Sequence, residues 1–233
     1  MSDAGALRAR LADVRNRLAK AAGRAGRDPS SVRLVAVSKA FPVDLIRAAA
    51  DAGQVDFGEN KVQEAFLKMD QTTDLPLRWH LIGHLQSNKA RKAGRFDVVH
   101  SIDDRTLVDR LEHAASAADR DIEMLAQVDL TSEPTKHGAR EDALAPIFEA
   151  ARVCQRVHLI GLMVLPPAVT EPEAARPFFR ALQDVRTRLL DRGVDRSMLA
   201  ELSMGMSHDF EVAVEEGGTM VRIGTAIFGP RPQ

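Results

Sequence analysis

Tyrosine is absent from the 233 residues. Any mechanism that needs a tyrosine acid or base within this chain is therefore excluded. There is one tryptophan and one cysteine, and a lone thiol, Cys154, cannot close an intramolecular disulfide. That usage fits a reducing compartment, so a cytoplasmic protein is expected. Cys154 follows the helical run Ala150, Ala151, Val153, which marks it as a small core residue rather than a nucleophile. No uninterrupted apolar run is long enough to span a bilayer, and the first residues lack the apolar core of a signal peptide. The formal net charge is −1. No global field pulls such a chain onto nucleic acid or an anionic membrane. There is also no P-loop, dinucleotide fingerprint, zinc-finger spacing or nucleophile elbow.

What is present is a strict alternation. Residues 4–23 read as an amphipathic helix, with Leu7, Leu11, Val14 and Leu18 at helical spacing. Short apolar runs then recur, each followed by a helical stretch. The strands are Val32–Ser38, Val55–Gly58, Trp79–Ile82, Asp97–Ile102, Ile122–Leu130, Val157–Val164, Met198–Ser203 and Met220–Ile223. The helices between them cover Pro42–Ala52, Lys61–Met69, Leu85–Arg95, Arg105–Ala118, Arg140–Val153, Pro172–Arg192 and His208–Glu216. Strands separated by helices pair in parallel, because only a crossover brings the chain back in the same direction. Eight such units predict a single (β/α)₈ TIM-type barrel over residues 1–233, with residues 1–27 as an extra helix packed on it. A doubly wound open sheet is the structural alternative. The longest irregular stretch, Thr131–Ala139, reads as a loop after the fifth strand. No further interface element is visible, so a monomer is expected.

In parallel α/β folds, reactive groups collect at the C-terminal ends of the strands. Lys39 closes the run LVAVSK there. A lysine among apolar walls loses charge solvation, and its neutral amine becomes available for Schiff-base formation. The competing reading is a surface lysine just past a strand end. In LSMGMSHDFEVAVEEG, Ser207 stands where a helix begins, suited to a phosphate or to a plain N-cap. In MVRIGTAIFGPR, Gly224 allows close backbone approach and Thr225 adds a hydroxyl, consistent with a phosphate cradle at the last two strand ends. Arg222 shares the strand face of Gly224. Its alternative role is an internal salt bridge to Glu59 or Glu201. His80 and His84 suggest a metal pair, but no matching acid or cysteine cluster accompanies them in the sequence, so no metal is expected. Lys89, Arg91, Lys92 and Arg95 read as a solvated basic helix face rather than a nucleic-acid site.

AVSKAFP, FGENKVQE, WHLIGHLQSNK, GLMVLPP and LSMGMSHDFEVAVEEGGTMVRIGTAIFG together resemble the pyridoxal phosphate homeostasis protein family. These are barrel proteins related to the N-terminal domain of alanine racemase, and the resemblance runs from about Val32 to Arg231. It implies a fold type III site for pyridoxal 5′-phosphate. Lys39 would carry the internal aldimine, and Ser207, Gly224 and Thr225 would hold the phosphate. Arg222 would face the pyridine nitrogen, Asn60 would lie beside the ring and Met204 would line the pocket. Lys61 and His84 depart from the family pattern, which often has an aromatic residue and a proline at those places.

Chemistry favours cofactor handling over catalysis. A racemase needs two positioned acid–base groups. In the related racemases one of these is a tyrosine from a second domain. This chain has no tyrosine. An arginine at the pyridine nitrogen also leaves the ring a weak electron sink. The expectation is intracellular buffering and delivery of pyridoxal phosphate, with apo-enzymes that depend on it as recipients. A low-activity enzyme such as an amino-acid racemase, a cofactor-free lysine aldolase and a nucleic-acid module are the alternatives.

Overall fold

The computed structural model describes residues 3–131 and 137–230. Its strands are β1 (Arg33–Val37), β2 (Asp56–Glu59), β3 (Arg78–Leu81), β4 (Val98–Ile102), β5 (Ile122–Val128), β6 (Val157–Val164), β7 (Glu201–Met206) and β8 (Met220–Ile223). They pair in sequence order into a closed parallel barrel, with β8 returning to β1. The helices are α1 (Asp3–Arg24), α2 (Val43–Asp51), α3 (Val62–Asp70), α4 (Arg105–Ala118), α5 (Leu144–Ala151), α6 (Arg176–Asp191), α7 (Phe210–Glu215) and α8 (Thr225–Phe228). The (β/α)₈ TIM barrel expected from the alternation is the observed fold, and the open sheet is excluded. Part of the Thr131–Ala139 loop lies outside the described residues.

One connection differs from a regular helix. Ser87–Arg95, after β3, is a 3₁₀ helix. Its buried alanines, Ala90 and Ala93, and the following Phe96 recur every third residue, which matches a three-residue turn. Gly94 abuts the backbone of α4: a Cβ there would stand 2.7 Å from the Ala114 carbonyl oxygen.

Strand periodicity divides the core. Outward residues such as Ala36, Phe57, Leu81 and Leu202 join the helices in one large apolar layer, while Val98, Leu125, Met163 and Met220 form a smaller cluster inside the barrel. Leu7, Leu11, Val14 and Leu18 of α1 are all buried. This helix lies against α2, α7 and α8. Its Arg10 donates to the Ile227 carbonyl at 2.7 Å, and Arg27, just past its end, donates to the carbonyls of Val214 and Gly218. Helix α1 thereby pins the segments that follow β7 and β8. No helix among the described residues is long and apolar enough to cross a membrane.

Candidate functional site

Lys39 sits in the turn after β1, half-buried, in register with the inward positions Val35 and Val37. The turn is tightly held. The Phe41 N–H donates to the Ser38 carbonyl at 3.0 Å, and Ala40 adopts φ 65°, a left-handed conformation that costs a Cβ-bearing residue about 1–2 kcal/mol. Glu64 secures it by accepting the Ala40 N–H at 2.6 Å. Beneath lies a buried cation: Lys68 Nζ donates to the Ser38 carbonyl at 2.8 Å, to Glu59 at 2.7 Å and to Glu64 at 2.7 Å. Glu59 also accepts from the Ser38 hydroxyl at 2.6 Å. Burial pushes Glu59 above the ordinary carboxylate range despite Lys68 and Ser38. In half-buried Glu64, burial is outweighed by the bonds from Lys68 and the Ala40 N–H, which hold it low.

A hydrogen-bonded chain crosses the barrel interior. Asp56 Oδ1 is 2.9 Å from His80 Nε2, His80 Nδ1 is 2.9 Å from His100 Nε2, and His100 Nδ1 is 2.8 Å from the Ser203 hydroxyl. Arg222 then donates to that hydroxyl and, at 2.9 Å, to the Val164 carbonyl. Burial drives the pKa of both histidines down, so both are neutral. A guanidinium only donates and a carboxylate only accepts. The polarity is therefore fixed: Arg222 donates to Ser203, Ser203 to His100, His100 to His80, and His80 to Asp56. Burial raises the Asp56 carboxyl, but the His80 hydrogen bond, with Arg33 and Arg78 nearby, brings it below its usual value. Burial also lowers the Arg222 pKa to about 10, with Asp209 opposing. Arg222 thus remains a cation at neutral pH, locked in orientation and only 3% exposed.

At the mouth above Arg222 the turns after β7 and β8 meet. The Ser207 hydroxyl accepts from the Gly224 N–H at 3.2 Å and from the Ala226 N–H at 3.3 Å. Exposed Thr225 lies between those two residues. Backbone donors converging on one point beside a hydroxyl form an anion cradle. Asp209 shapes the first turn by accepting the Met206 N–H at 2.6 Å. Across the mouth a pocket of about 260 Å³ is lined by Asn60, Gly83, His84, Gln127, Asp129 and His137, among others. Asn60 Oδ1 is buried there with no hydrogen-bond partner among the described residues. Gly83 lets the segment after β3 approach Asn60 closely, since a Cβ would fall 2.3 Å from its carbonyl oxygen.

Residues 9–232 match the family model described as alanine racemase, N-terminal domain. The chain is 41% identical over 223 residues to a pyridoxal phosphate homeostasis protein of Aquifex aeolicus, covering 95% of this chain and 97% of that one. It is 42% identical to the protein of the same name from Pseudomonas aeruginosa, over 95% of this chain and 94% of the relative. This chain belongs to the pyridoxal phosphate homeostasis protein family. Among solved structures, PipY of Synechococcus elongatus with PLP bound superposes with a TM-score of 0.84 at 40% identity, covering 96% of this chain and all (100%) of that chain. An alanine racemase of Clostridium difficile shares the fold alone, at 14% identity and a TM-score of 0.73.

The structure gathers Lys39, Ser207, Arg222, Gly224 and Thr225 at the neighbouring ends of β1, β7 and β8, with Asn60 at the end of β2. Met204 requires a correction. It is fully buried in the outer apolar layer, because Ser203 takes the inward position of β7 and the next side chain must point away. Ser207 is not the N-cap of α7, a place taken by Asp209. Arg222 pairs with neither Glu59 nor Glu201: Glu59 faces Lys68, and Glu201 accepts from Thr219. His80 and His84 do not meet as a pair, since His80 is inside the barrel and His84 at its mouth. Sequence reasoning missed Glu64, Lys68, His100 and Ser203 as supports of the site. The available signal was the placement of His80, His100, Ser203 and Arg222 at inward strand positions where apolar residues are the norm.

Proposed function

We propose that this chain holds pyridoxal 5′-phosphate covalently through Lys39 and buffers and delivers it, without substantial amino-acid turnover. One observation carries the reading: a structural relative matching nearly the full chain at 40% identity is described with this cofactor bound. The residues present fit the group. The Gly224 and Ala226 N–H groups with the Ser207 hydroxyl suit a phosphate, and the unsatisfied Asn60 Oδ1 offers an acceptor beside the ring. When bound, the cofactor supplies an aldehyde carbon and an electron-withdrawing pyridine ring.

The chain's own groups favour holding the cofactor over turning it to catalysis. The clamped turn from Ser38 to Phe41 fixes the backbone at the base of the Lys39 side chain, so the backbone there is already ordered before attachment. Facing the ring nitrogen, Arg222 would only donate to it. It offers no carboxylate to keep a proton there, which weakens carbanion stabilisation. The absence of tyrosine removes the usual second acid–base partner. A monomer in the cytoplasm, passing cofactor to apo-enzymes, is the cellular form of this proposal.

The test mixes cofactor-loaded protein with an apo-enzyme acceptor and follows acceptor activation. Delivery predicts activation faster than release of cofactor into solution. Equal rates would refute direct delivery. Amino-acid turnover lost in Lys39→Ala would replace the handling role with an enzymatic one.

A further inference from the structure

The barrel mouth carries a second cluster of polar groups, diametrically across the strand order from the Ser207 cradle. His84 follows β3, Asp103 follows β4 and His137 lies on the segment after β5. Their ligand atoms all fall within 4.8 Å of one another. His84 Nδ1 is 3.6 Å from Asp103 Oδ2. The two imidazoles stack with centroids 3.6 Å apart and planes 6° from parallel. We propose that His84, Asp103 and His137 form a binding site for a divalent late transition-metal ion of the zinc class.

The geometry supports this in two ways. First, a tetrahedral ion with bonds near 2.1 Å separates adjacent ligand atoms by about 3.4 Å, and the His84–Asp103 pair stands close to that edge. Rotation of His137 out of the stack supplies the third ligand, because parallel rings present parallel lone pairs. Second, a hydrogen bond anchors the chain at or beside each of the three ligands. The Ser101 hydroxyl donates to the Gly83 carbonyl at 2.7 Å, Asp104 caps α4 through the Leu107 N–H at 2.9 Å, and Gln127 Nε2 donates to the His137 carbonyl at 2.6 Å.

Two nitrogens and one oxygen select zinc-like ions over magnesium or calcium, which prefer oxygen ligands. Three protein ligands leave a position open. It faces the pocket that Asn60, Gln127 and Asp129 also line, where water completes the coordination. This site is separate from the Ser207 cradle and does not depend on the cofactor reading.

The test is calorimetric titration of untagged full-length protein with Zn²⁺, and separately with Mg²⁺, in a non-chelating buffer. One Zn²⁺ site per chain with micromolar or tighter affinity and no Mg²⁺ response is expected. His84→Ala, His137→Ala and Asp103→Asn should each weaken it at least tenfold, with circular dichroism reporting that the fold is retained. Co²⁺ added to the unaltered protein should give visible d–d bands at longer wavelength than any cofactor band, a readout independent of variants. Absence of a stoichiometric site, absence of those bands, or Zn²⁺ binding undiminished in the His84→Ala/His137→Ala double variant would overturn the proposal.

Discussion

Replacing Lys68 with methionine should convert the support beneath Lys39 into a pH-dependent weakness. The Lys68 ammonium bonds Ser38, Glu59 and Glu64, and its side chain is 8% exposed against 0% for Glu59. Removing one partner of such a pair costs about 3–5 kcal/mol. The other oxygen of Glu59, Oε2, already has no partner among the described residues, so little remains to stabilise the charge. Protonation of Glu59 is the escape route. Its cost is set by an unfolded pKa near ~4.3: about 4 kcal/mol at pH 7.5 and about 1 kcal/mol at pH 5. A carboxyl whose folded pKa is raised contributes stability that is complete below the unfolded pKa and lost as pH rises through the folded one. Lys68→Met should therefore be destabilised by about 4 kcal/mol at pH 7.5, and by roughly 3 kcal/mol less at pH 5. Adding Glu59→Leu removes the stranded charge and should recover stability to within about 2 kcal/mol of the parent. Urea unfolding of the three proteins at both pH values measures this. A loss below about 1 kcal/mol at pH 7.5, or the same loss at both, would refute the reasoning.

Three further expectations concern the same machinery. The fold keeps His80 and His100 neutral while the unfolded chain takes up protons near ~pH 6.5, so stability should fall as pH drops from about 6.5 to 5.5, by up to about 1.4 kcal/mol per pH unit for each histidine. His100→Gln should roughly halve that slope in urea titrations; a flat profile in the parent would contradict neutral buried rings. Ala40→Gly relieves about 1–2 kcal/mol of left-handed strain against about 0.5–1 kcal/mol of added chain entropy, and should raise stability by about 0.5–1 kcal/mol in the same assay. Ser207→Ala removes a hydroxyl from the anion cradle and should weaken pyridoxal phosphate binding about tenfold to a hundredfold in an absorbance titration; unchanged affinity would place the phosphate elsewhere.

The barrel was legible because each strand is a short apolar run closed by a polar or small residue, as in LVAVSK and MVRIG. The cradle was legible because Ser207 and Gly224 stand at strand ends that a parallel barrel must bring together. The interior chain was not. His80 and His100 lie 20 residues apart, and Ser203 is 103 residues beyond His100. Each reads singly as an isolated polar residue, and only closure of the sheet makes them neighbours. Lys68 failed for another reason: a lysine in the last turn of an amphipathic helix ordinarily faces water, and its burial depends on two carboxylates meeting under the first strand end. Met204 was assigned to the pocket by the family resemblance, whereas strand alternation from inward Ser203 turns it into the outer apolar layer. His137 was overlooked in an irregular loop, so His84 was set beside His80 instead of the ring it stacks on.

The claim on which the account depends is covalent attachment at the amine that ends β1. Borohydride reduction of the cofactor-loaded protein, followed by proteolysis and mass mapping, addresses it directly. The account predicts one reduced pyridoxyl group per chain, located on Lys39 and absent from Lys39→Ala. A label on Lys61 or Lys68 instead, or no label on an intact fold, would contradict it.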